Sequence, residues 1–411
     1  MISEYHAFDH GRDGSLPETG GRQDFFGRRT KNIWNWELDV MSRSAVFKAS
    51  TAYFLSPIAD FLADPSITEI MINRHDQIYI ERGGKIYPTQ ARFESEDALV
   101  SAINNVAQWV GRDVSREQPI LDARLPDGSR VNVILPPSAR GGVCMTIRKF
   151  SPGGLRMDDL LKYKSITSQA QEFLRICVEL HKNIVISGGT GTGKTSLLGA
   201  MSEAVPEVER IVVIEDTSEL KLKQTHTVYL EVQKADEYGR GSVTIRELFV
   251  ASLRMRPDRI IVGEVRGGEA LDMVQSMLSG HSGSLTTVHA NTPRDAMIRL
   301  ETLSLMSDVQ IPVYVARTQV ASAIEIVVQL TRFTADGARK ITRITEVEPI
   351  DESNEYRFRD LFVYRRPGGD PQATPQLEWT GQKPSFAADL YEHGLGERVE
   401  ETKEIWGKPG E

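Results

Sequence analysis

The chain has 411 residues, 40% of them hydrophobic and 26% charged, which suits about two or three domains with buried cores. Its 33 glycines and 19 prolines exclude coiled-coil and collagen-like chains. With 49 Lys and Arg against 57 Asp and Glu, the formal net charge is -8, so the chain has no overall electrostatic bias toward nucleic acid or anionic lipid.

Residues 1–45 mix glycines and charges without a sustained apolar period. Such a composition cannot bury enough surface to offset the entropy lost on ordering, so we expect a flexible arm. The first residues lack the basic and apolar regions of a signal peptide, and no run of about 18 apolar residues follows, so we expect no transmembrane segment. Cys144 and Cys177 form no disulfide or metal pattern, which fits a reduced cytosolic compartment.

Helix-like and strand-like patterns alternate over residues 46–150. Apolar residues recur at helical spacing between Leu99 and Val110, and runs of β-favouring residues predict strands around 67–72, 77–81, 130–135 and 143–148. We therefore predict an N-terminal α+β domain over 46–150. The Ser-Pro-Gly-Gly segment at 151–154 is the predicted linker.

Beyond the linker, short apolar runs alternate with helical segments, which is typical of a mostly parallel α/β sheet. The domain is predicted to span 155–370, and residues 371–411, spaced by Pro and Gly with a charged end, are predicted as a C-terminal tail. The strand candidates are 183–187, 211–215, 227–232, 259–265, 284–289, 324–330, 341–347 and 358–364.

A glycine-rich run from Gly188 to Thr195 matches the pattern GxxxxGK[ST] at every position, between a strand-like and a helix-like segment. Backbone N–H groups of such a loop converge on phosphate oxygens, Lys194 reaches the β- and γ-phosphates, and the Thr195 hydroxyl can bind Mg²⁺. A glycine-rich turn with a surface lysine would not need this context. The predicted nucleotide-binding residues are Gly188, Gly189, Thr190, Gly191, Thr192, Gly193, Lys194, Thr195 and Ser196.

Two further strands are predicted to end in carboxylates, Glu215 and Glu264, the latter in a Walker-B-like run. Ligands of open α/β sheets bind where the strands end, and P-loop chemistry needs acids there to hold Mg²⁺ and orient water. His289 ends another strand at the same predicted edge. A lone histidine is more often structural, but this position favours a γ-phosphate sensor.

Together these motifs resemble the Walker A, Asp box, Walker B and His box of the type II/IV secretion ATPase superfamily. The Asp box is 214–220, the Walker B region 254–266 and the His box 280–291. Segments 64–70, 125–132 and 146–150 resemble the CpaF/TadA branch, which powers Flp (tight-adherence) pili. The similarity covers about 52–365, and only two cysteines are present, so the tetra-cysteine zinc module of many type II ATPases is absent.

The resemblance implies a PAS-like N-terminal domain, a RecA-like P-loop domain and a homo-hexamer using ATP and Mg²⁺. It further implies a cytoplasmic protein, peripheral at the inner membrane, which docks on polytopic platform proteins and acts on pilin indirectly. N-domain arginines of the superfamily approach the phosphates, and Arg130 and Arg148 occupy the matching positions here. Arg124 and Arg140 are more simply solvated loop residues, and ion pairing is the simpler interpretation for Arg254, Arg256, Arg259 and Arg266.

We therefore predict an ATP-hydrolysing motor. Lys194 binds phosphate, Thr195 and Glu264 bind Mg²⁺, Glu215 is the general base and His289 senses the γ-phosphate. A conjugation-type type IV secretion ATPase, which shares all four boxes, is the first alternative. A P-loop nucleic-acid motor or regulatory switch is the second, although the acidic balance and the lack of a basic stripe disfavour direct nucleic-acid binding.

Overall fold

The computed structural model describes residues 46–150, 154–235, 239–366 and 373–408. The predicted arm at 1–45 and all but one residue of the predicted linker lie outside the described residues. The chain divides into two compact units. The first comprises the described residues up to Ala63 with Met71–Ile78 and Gln90–Ile147, and the second comprises Asp64–Ile70, Tyr79–Thr89 and the described residues from Arg148 onward.

The N-terminal region is built on a six-stranded sheet with the order β3-β2-β1-β6-β5-β4. Strands β2 and β3, and likewise β4 and β5, form antiparallel pairs. The Ser95 side chain accepts a hydrogen bond from the backbone N–H of Ala98 and so caps the main helix. The elements are α1 (46–54), α2 (Ala59–Ala63), β1 (Ile67–Arg74), β2 (Gln77–Arg82), β3 (Lys85–Pro88), α3 (Glu96–Trp109), β4 (Ile120–Arg124), β5 (Arg130–Ile134) and β6 (Cys144–Arg148).

The second region is built on a nine-stranded sheet with the order β15-β14-β13-β12-β7-β11-β10-β8-β9. Its elements, in chain order, are α4 (Met157–Lys162), α5 (Ser168–Glu179), β7 (Ile184–Gly188), α6 (Lys194–Ser202), β8 (Ile211–Glu215), β9 (Thr227–Glu231), α7 (Ile245–Ser252), β10 (Arg259–Val262), α8 (Glu269–Leu278), β11 (Leu285–Val288), α9 (Pro293–Ser304), α10 (Val313–Ala323), β12 (Ile326–Arg332), β13 (Arg339–Glu348), β14 (Arg357–Arg365), β15 (Gln376–Trp379), α11 (Asp389–Glu392) and α12 (Lys403–Trp406).

Strands β12, β7, β11, β10, β8 and β9 run parallel, whereas β13, β14 and β15 extend the sheet in antiparallel fashion. The central strands are buried on both faces, which explains why they read as continuous apolar runs in the sequence. Two hydrophobic clusters fill the core, one on each face. The predicted α/β class, with an N-terminal α+β region and a mostly parallel sheet, is confirmed.

The described part of the predicted C-terminal tail packs into the core of the second unit. Trp406 stacks on Phe173 with 5.3 Å between ring centroids. The carboxylate of Glu172 accepts hydrogen bonds from the backbone N–H groups of Glu400 and Thr402, each at 2.9 Å. Residues 373–408 are therefore folded structure, although their apolar residues are too widely spaced to produce a periodic signal. Among the described residues, no helix is long and apolar enough to cross a membrane.

Candidate active site

The P-loop has the predicted strand–loop–helix form: β7 ends at Gly188 and α6 begins at Lys194. Gly193 is the N-cap of α6 with φ of 93°, a left-handed conformation that glycine adopts without strain. A Cβ atom on Gly188 would lie 2.6 Å from Oγ1 of Thr192 and 3.0 Å from the carbonyl oxygen of Leu330. The loop is thus too tightly curved for a side chain at Gly188, and it leads its backbone into a helix N-terminus, which favours anions.

Lys194 is only 7% exposed and lies folded over the P-loop. Its Nζ donates to the carbonyl oxygens of Gly188 at 3.1 Å and Gly189 at 3.2 Å. Burial is the largest influence on this ammonium group and lowers its pKa, while the negative charge of Glu264 acts in the opposite direction. The cation is therefore held at the loop that the sequence identified.

Glu264, Arg266 and His289 form a charged cluster beside Lys194. One carboxylate oxygen of Glu264 lies 2.7 Å from Nη2 of Arg266, and the other lies 3.0 Å from Nε2 of His289. Nδ1 of His289 lies 3.2 Å from Nζ of Lys194. Burial first, and then the charge of Lys194, lowers the pKa of His289, so the imidazole is neutral at pH 7. The structure thus brings together Lys194, Glu264 and His289, as the sequence analysis expected.

Glu215 lies at the end of β8 but is only 4% exposed. Its Oε1 accepts hydrogen bonds from the backbone N–H groups of Glu219 at 2.9 Å and Leu220 at 3.1 Å. Burial raises the pKa of Glu215 to about 7, although these two hydrogen bonds oppose the shift. The carboxylate predicted as the general base is therefore engaged in shaping the loop that follows it.

Glu219 is an acid to which the sequence analysis gave no role. Burial lowers the pKa of Lys194 and the hydrogen bond to Glu264 raises that of Arg266, and the negative charge of Glu219 acts upward on both. Glu219 therefore lies within electrostatic range of the P-loop cation. The half-buried position of Glu219 follows from the turn that Glu215 holds. In the sequence, Glu219 could have been noticed only as an acid inside the Asp box, four residues after the end of β8.

The two arginines predicted to approach the phosphates lie in different units. Arg148, the last residue of β6, belongs to the second unit, and its charge lowers the pKa of Lys194 and of Arg339. Arg130, the first residue of β5, belongs to the first unit and faces Arg124 across the β4–β5 pair. Arg148 is therefore close enough to Lys194 for electrostatic coupling, whereas the role of Arg130 stays a prediction.

The expectation of ion pairs for the Walker B arginines is confirmed for two of them. Nε of Arg259, a fully buried side chain, lies 2.5 Å from Glu209, and its other nitrogens donate to the carbonyl oxygens of Gly283 and Val178. Arg266 bonds to Glu264 at 2.7 Å and lies 3.3 Å from Asp216. Arg259 is structural, because it ties β10 to its surroundings, whereas Arg266 belongs to the charged cluster.

The chain offers oxygen donors that suit Mg²⁺ in a nucleotide site. The Thr195 hydroxyl stands on the first turn of α6 and the Glu264 carboxylate follows β10. Mg²⁺ at such sites takes one or two protein ligands, with phosphate oxygens and water completing the octahedron. Because Thr195 and Glu264 each offer one oxygen donor, this pair fits a Mg²⁺ shared with a phosphate. Within the described ranges, no group of three or more His, Cys, Asp or Glu side chains could hold a metal ion.

A cleft of about 600 Å³ opens beside the P-loop. It is lined by Thr190 and Thr192 of the loop, by Asn291 after β11, and by the turn that joins β12 to β13. The cleft places the β12–β13 turn next to the phosphate-binding loop, a neighbour that the sequence analysis did not identify.

Comparison with known proteins agrees with these motifs. The family model described as type II/IV secretion system protein matches residues 52–369. PtlH of Bordetella pertussis, a type IV secretion system protein, is 34% identical over 317 residues, covering 71% of this chain and 94% of PtlH. VirB11 of Brucella suis biovar 1, also a type IV secretion system protein, is 32% identical over 336 residues, covering 75% of this chain and 92% of VirB11.

A likeness in fold is also seen with the crystal structure of the pilus retraction motor PilT with bound ADP, at a TM-score of 0.51 and 19% identity over 72% of this chain and 83% of that one. The family model matches more than half of the chain, and the matched segment, 52–369, contains the P-loop and the charged cluster described above. The chain therefore belongs to the type II/IV secretion system protein family.

Proposed function

We propose that the chain is an ATPase that hydrolyses ATP with Mg²⁺ by attack of water on the γ-phosphate. The observation that carries this proposal is the convergence of Lys194, Glu264 and His289 at the P-loop, with 3.2 Å and 3.0 Å separating His289 from its two partners. A nucleotide-binding switch would need the P-loop alone. A set of acids and a histidine around the same cation supports hydrolysis.

Phosphate binding is assigned to the P-loop and the start of α6. The backbone N–H groups of the loop and the helix N-terminus favour the anion, and Lys194 exchanges its carbonyl contacts for phosphate oxygens. When bound, Mg²⁺ neutralises charge on the β- and γ-phosphates. Thr195 and Glu264 would hold it, and Glu264 must then loosen its contact with Arg266 or His289.

For the general base we favour Glu219 over Glu215. A general base must accept a proton from a water near the γ-phosphate. Oε1 of Glu215 already accepts two backbone hydrogen bonds and the side chain is buried from water. Glu219 is only half-buried, and its charge acts on Lys194 and Arg266. In this proposal, Glu215 shapes the loop, Glu219 takes the proton and His289 responds to the γ-phosphate.

The finer proposal is a motor for a Flp/Tad-type pilus. The CpaF/TadA-like segments 64–70, 125–132 and 146–150 support it. In this model the chain works as a hexamer in the cytoplasm, binds polytopic platform proteins at the inner membrane and moves pilin indirectly. The broader description, an ATPase of type II/IV secretion machinery, is supported by the family match over 52–369.

A second candidate is a type IV secretion ATPase that exports other substrates. The observation that favours it is the identity of 34% and 32% with PtlH and VirB11, both type IV secretion system proteins. The two candidates share the active site and differ in the machine that the motor serves. Only an experiment in cells separates them.

The catalytic proposal is tested by phosphate release from ATP by the purified chain, with Mg²⁺ and with a chelator. Release that requires Mg²⁺ is expected, and nucleotide binding without any turnover would indicate a switch. For the machine, the gene is disrupted in its own organism and complemented with wild type or Lys194→Ala. Loss of surface pili with secretion intact supports the pilus motor, and the opposite pattern supports the second candidate.

A further inference from the structure

Two arginines face each other at the turn beside the P-loop. Arg332 is the last residue of β12 and Arg339 is the first residue of β13, and they are direct partners in the antiparallel register. Like charges directly opposite each other destabilise a strand pair. Other contacts must therefore offset the repulsion between Arg332 and Arg339. Both arginines form hydrogen bonds to residues outside the β12–β13 hairpin.

Arg339 reaches the P-loop itself. Its Nε donates to the carbonyl oxygen of Gly191 at 2.8 Å. Its Cδ would lie 3.7 Å from a Cβ atom on Gly193, so the side chain lies along the loop. Its Nη2 is 3.6 Å from Oε1 of Glu81, a carboxylate that is 13% exposed. One guanidinium thus contacts the tip of the P-loop and, more distantly, an acid on β2.

Arg332 reaches a second backbone carbonyl. Its Nη2 donates to the carbonyl oxygen of Gly84 in the β2–β3 turn, and its Nη1 would lie 3.3 Å from a Cβ atom on Gly191. Arg332 also lines the cleft beside the P-loop. Arg339 therefore bonds to the P-loop, whereas Arg332 lies beside Gly191 and bonds to the β2–β3 turn, and both bonds go to neutral carbonyl groups.

The surroundings of this pair are rich in positive charge. Burial is the largest influence that lowers the pKa of Arg339, and the charges of Arg332 and Arg148 act in the same direction. Glu81 is the acid that opposes them. Two acids, Glu81 beside Arg339 and Glu69 within electrostatic range of Arg148, face three arginines, so an anion at the P-loop would be stabilised by the remaining positive charge.

We propose that Arg339 is a positioning residue for nucleotide binding, which holds the P-loop through the Gly191 carbonyl while Arg332 fixes the turn from which Arg339 extends. When Arg339 holds the Gly191 carbonyl, the orientation of the neighbouring peptide groups is fixed, and their N–H groups point toward the phosphates. The loop is then ordered before the nucleotide arrives, and less binding free energy is lost in ordering it. This inference rests on the proposed ATPase function and names a residue of that same site.

The test compares Arg339→Gln with Arg343→Gln. Arg343 lies on the same strand, and its side chain pairs with Asp360 on β14 instead of with the P-loop. The full chain is titrated with fluorescent ADP and ATP analogues, turnover is measured over a range of ATP concentrations, and thermal melting is recorded with and without ADP. These measurements separate a loss of nucleotide affinity from a general loss of stability.

For Arg339→Gln we expect dissociation constants for both nucleotides to rise about tenfold, the size of one lost hydrogen bond from a charged donor. KM rises with them, while kcat changes less than about threefold, because the contact serves ground state and transition state alike. The rise in melting temperature caused by ADP shrinks. Arg343→Gln keeps wild-type affinity. If Arg339→Gln does not fold, Arg339→Lys replaces it, since lysine lacks the planar fork that meets Gly191 and Glu81 together.

Unchanged dissociation constants in a folded Arg339 variant would overturn the inference, and so would a lowered melting temperature with normal affinity, which is what a purely structural residue would give. An equal loss of affinity in Arg343→Gln would also overturn it. These outcomes leave the ATPase proposal intact. If the wild-type chain binds neither nucleotide, the proposed function fails first, and this inference fails with it.

Discussion

Nζ of Lys194 lies 3.2 Å from Nδ1 of His289, whose Nε2 lies 3.0 Å from a carboxylate oxygen of Glu264. A cation, a neutral imidazole and a carboxylate are thus in mutual contact beside three neighbouring parallel strands, β7, β11 and β10. The imidazole can accept a hydrogen bond from the ammonium group and donate one to the carboxylate. A phosphate that attracts Lys194 must therefore compete with His289, which couples the histidine to the occupancy of the P-loop.

Replacing Lys194 with Ala is expected to lower ATP turnover at least about a hundredfold, because charge that develops on the phosphates loses its nearest cation. The measurement is phosphate release from ATP. Lys162→Ala is the matched control, since Lys162 is 72% exposed on α4 and pairs only with Asp159 in its own helix. Turnover in Lys194→Ala equal to that of the control would refute the assignment of the P-loop.

The proposed base is tested by comparing two glutamates. Glu219→Gln is expected to lower kcat by about a hundredfold with little change in KM, since an amide cannot accept the proton. Glu215→Gln is expected to keep more of the activity, because an amide oxygen can still accept the two backbone hydrogen bonds. Steady-state kinetics of both variants decide the matter. A larger loss of kcat in Glu215→Gln would restore Glu215 as the base.

Glu215 also predicts a pH dependence of stability. Its pKa rises from 4.5 to about 7 in the folded state, so the folded chain keeps a proton that the unfolded chain releases above pH 4.5. The contribution of Glu215 to the free energy of unfolding of the wild type therefore falls as pH rises between 4.5 and about 7. Glutamine does not ionise, so the free energy of unfolding of Glu215→Gln should increase relative to that of the wild type by up to about 3 kcal/mol across this window. Denaturant unfolding at pH 4.5 and pH 8 measures it, and a pH-independent difference would contradict it.

Arg148 is expected to act on the γ-phosphate, since its charge already acts on Lys194. Arg148→Ala should reduce turnover by roughly a hundredfold or more, as loss of a charge-stabilising arginine does. ADP affinity should change little, because ADP has no γ-phosphate. Arg74→Ala is the control, since Arg74 is 52% exposed and pairs with Asp76 at 3.2 Å. Normal turnover with a lowered melting temperature would make Arg148 a structural residue.

Glu264 is expected to set the Mg²⁺ dependence. Glu264→Gln loses the negative charge that contacts Arg266 and would bind Mg²⁺ in the proposed site. The Mg²⁺ concentration for half-maximal turnover should therefore rise about tenfold, the lower end of the loss of metal affinity seen when a group supporting a metal site is removed. Exposed Glu352→Gln should leave the midpoint unchanged. If the Mg²⁺ midpoint of Glu264→Gln equals that of the wild type, Glu264 is not a Mg²⁺ ligand.

The sequence identified the central strands within a few residues, because β7, β8 and β10 are buried on both faces and therefore read as uninterrupted apolar runs. The P-loop was equally visible, since a fixed pattern of glycines, lysine and threonine produces its geometry locally. Lys194, Glu264 and His289 could be brought together in advance because Lys194 follows the P-loop at the end of β7, and Glu264 and His289 follow the ends of β10 and β11.

Other features depend on contacts that no local pattern reveals. The position of Glu219 depends on the hydrogen bonds that the Glu215 carboxylate accepts from the backbone N–H groups of Glu219 and Leu220. The contact of Arg339 with Gly191 joins residues 148 positions apart in the chain. Neither contact has a period or motif of its own, so both required the folded structure.

Docking of residues 373–408 has a consequence for biosynthesis. Thr402 bonds to Glu172 across a separation of 230 residues, and Trp406 stacks on Phe173 of the same helix, α5. During translation, this face of α5 stays uncovered while the P-loop strand, the charged cluster and the β12–β13 turn emerge from the ribosome. Contacts so distant in sequence form late. The second unit therefore completes this part of its core only after Trp406 has been made.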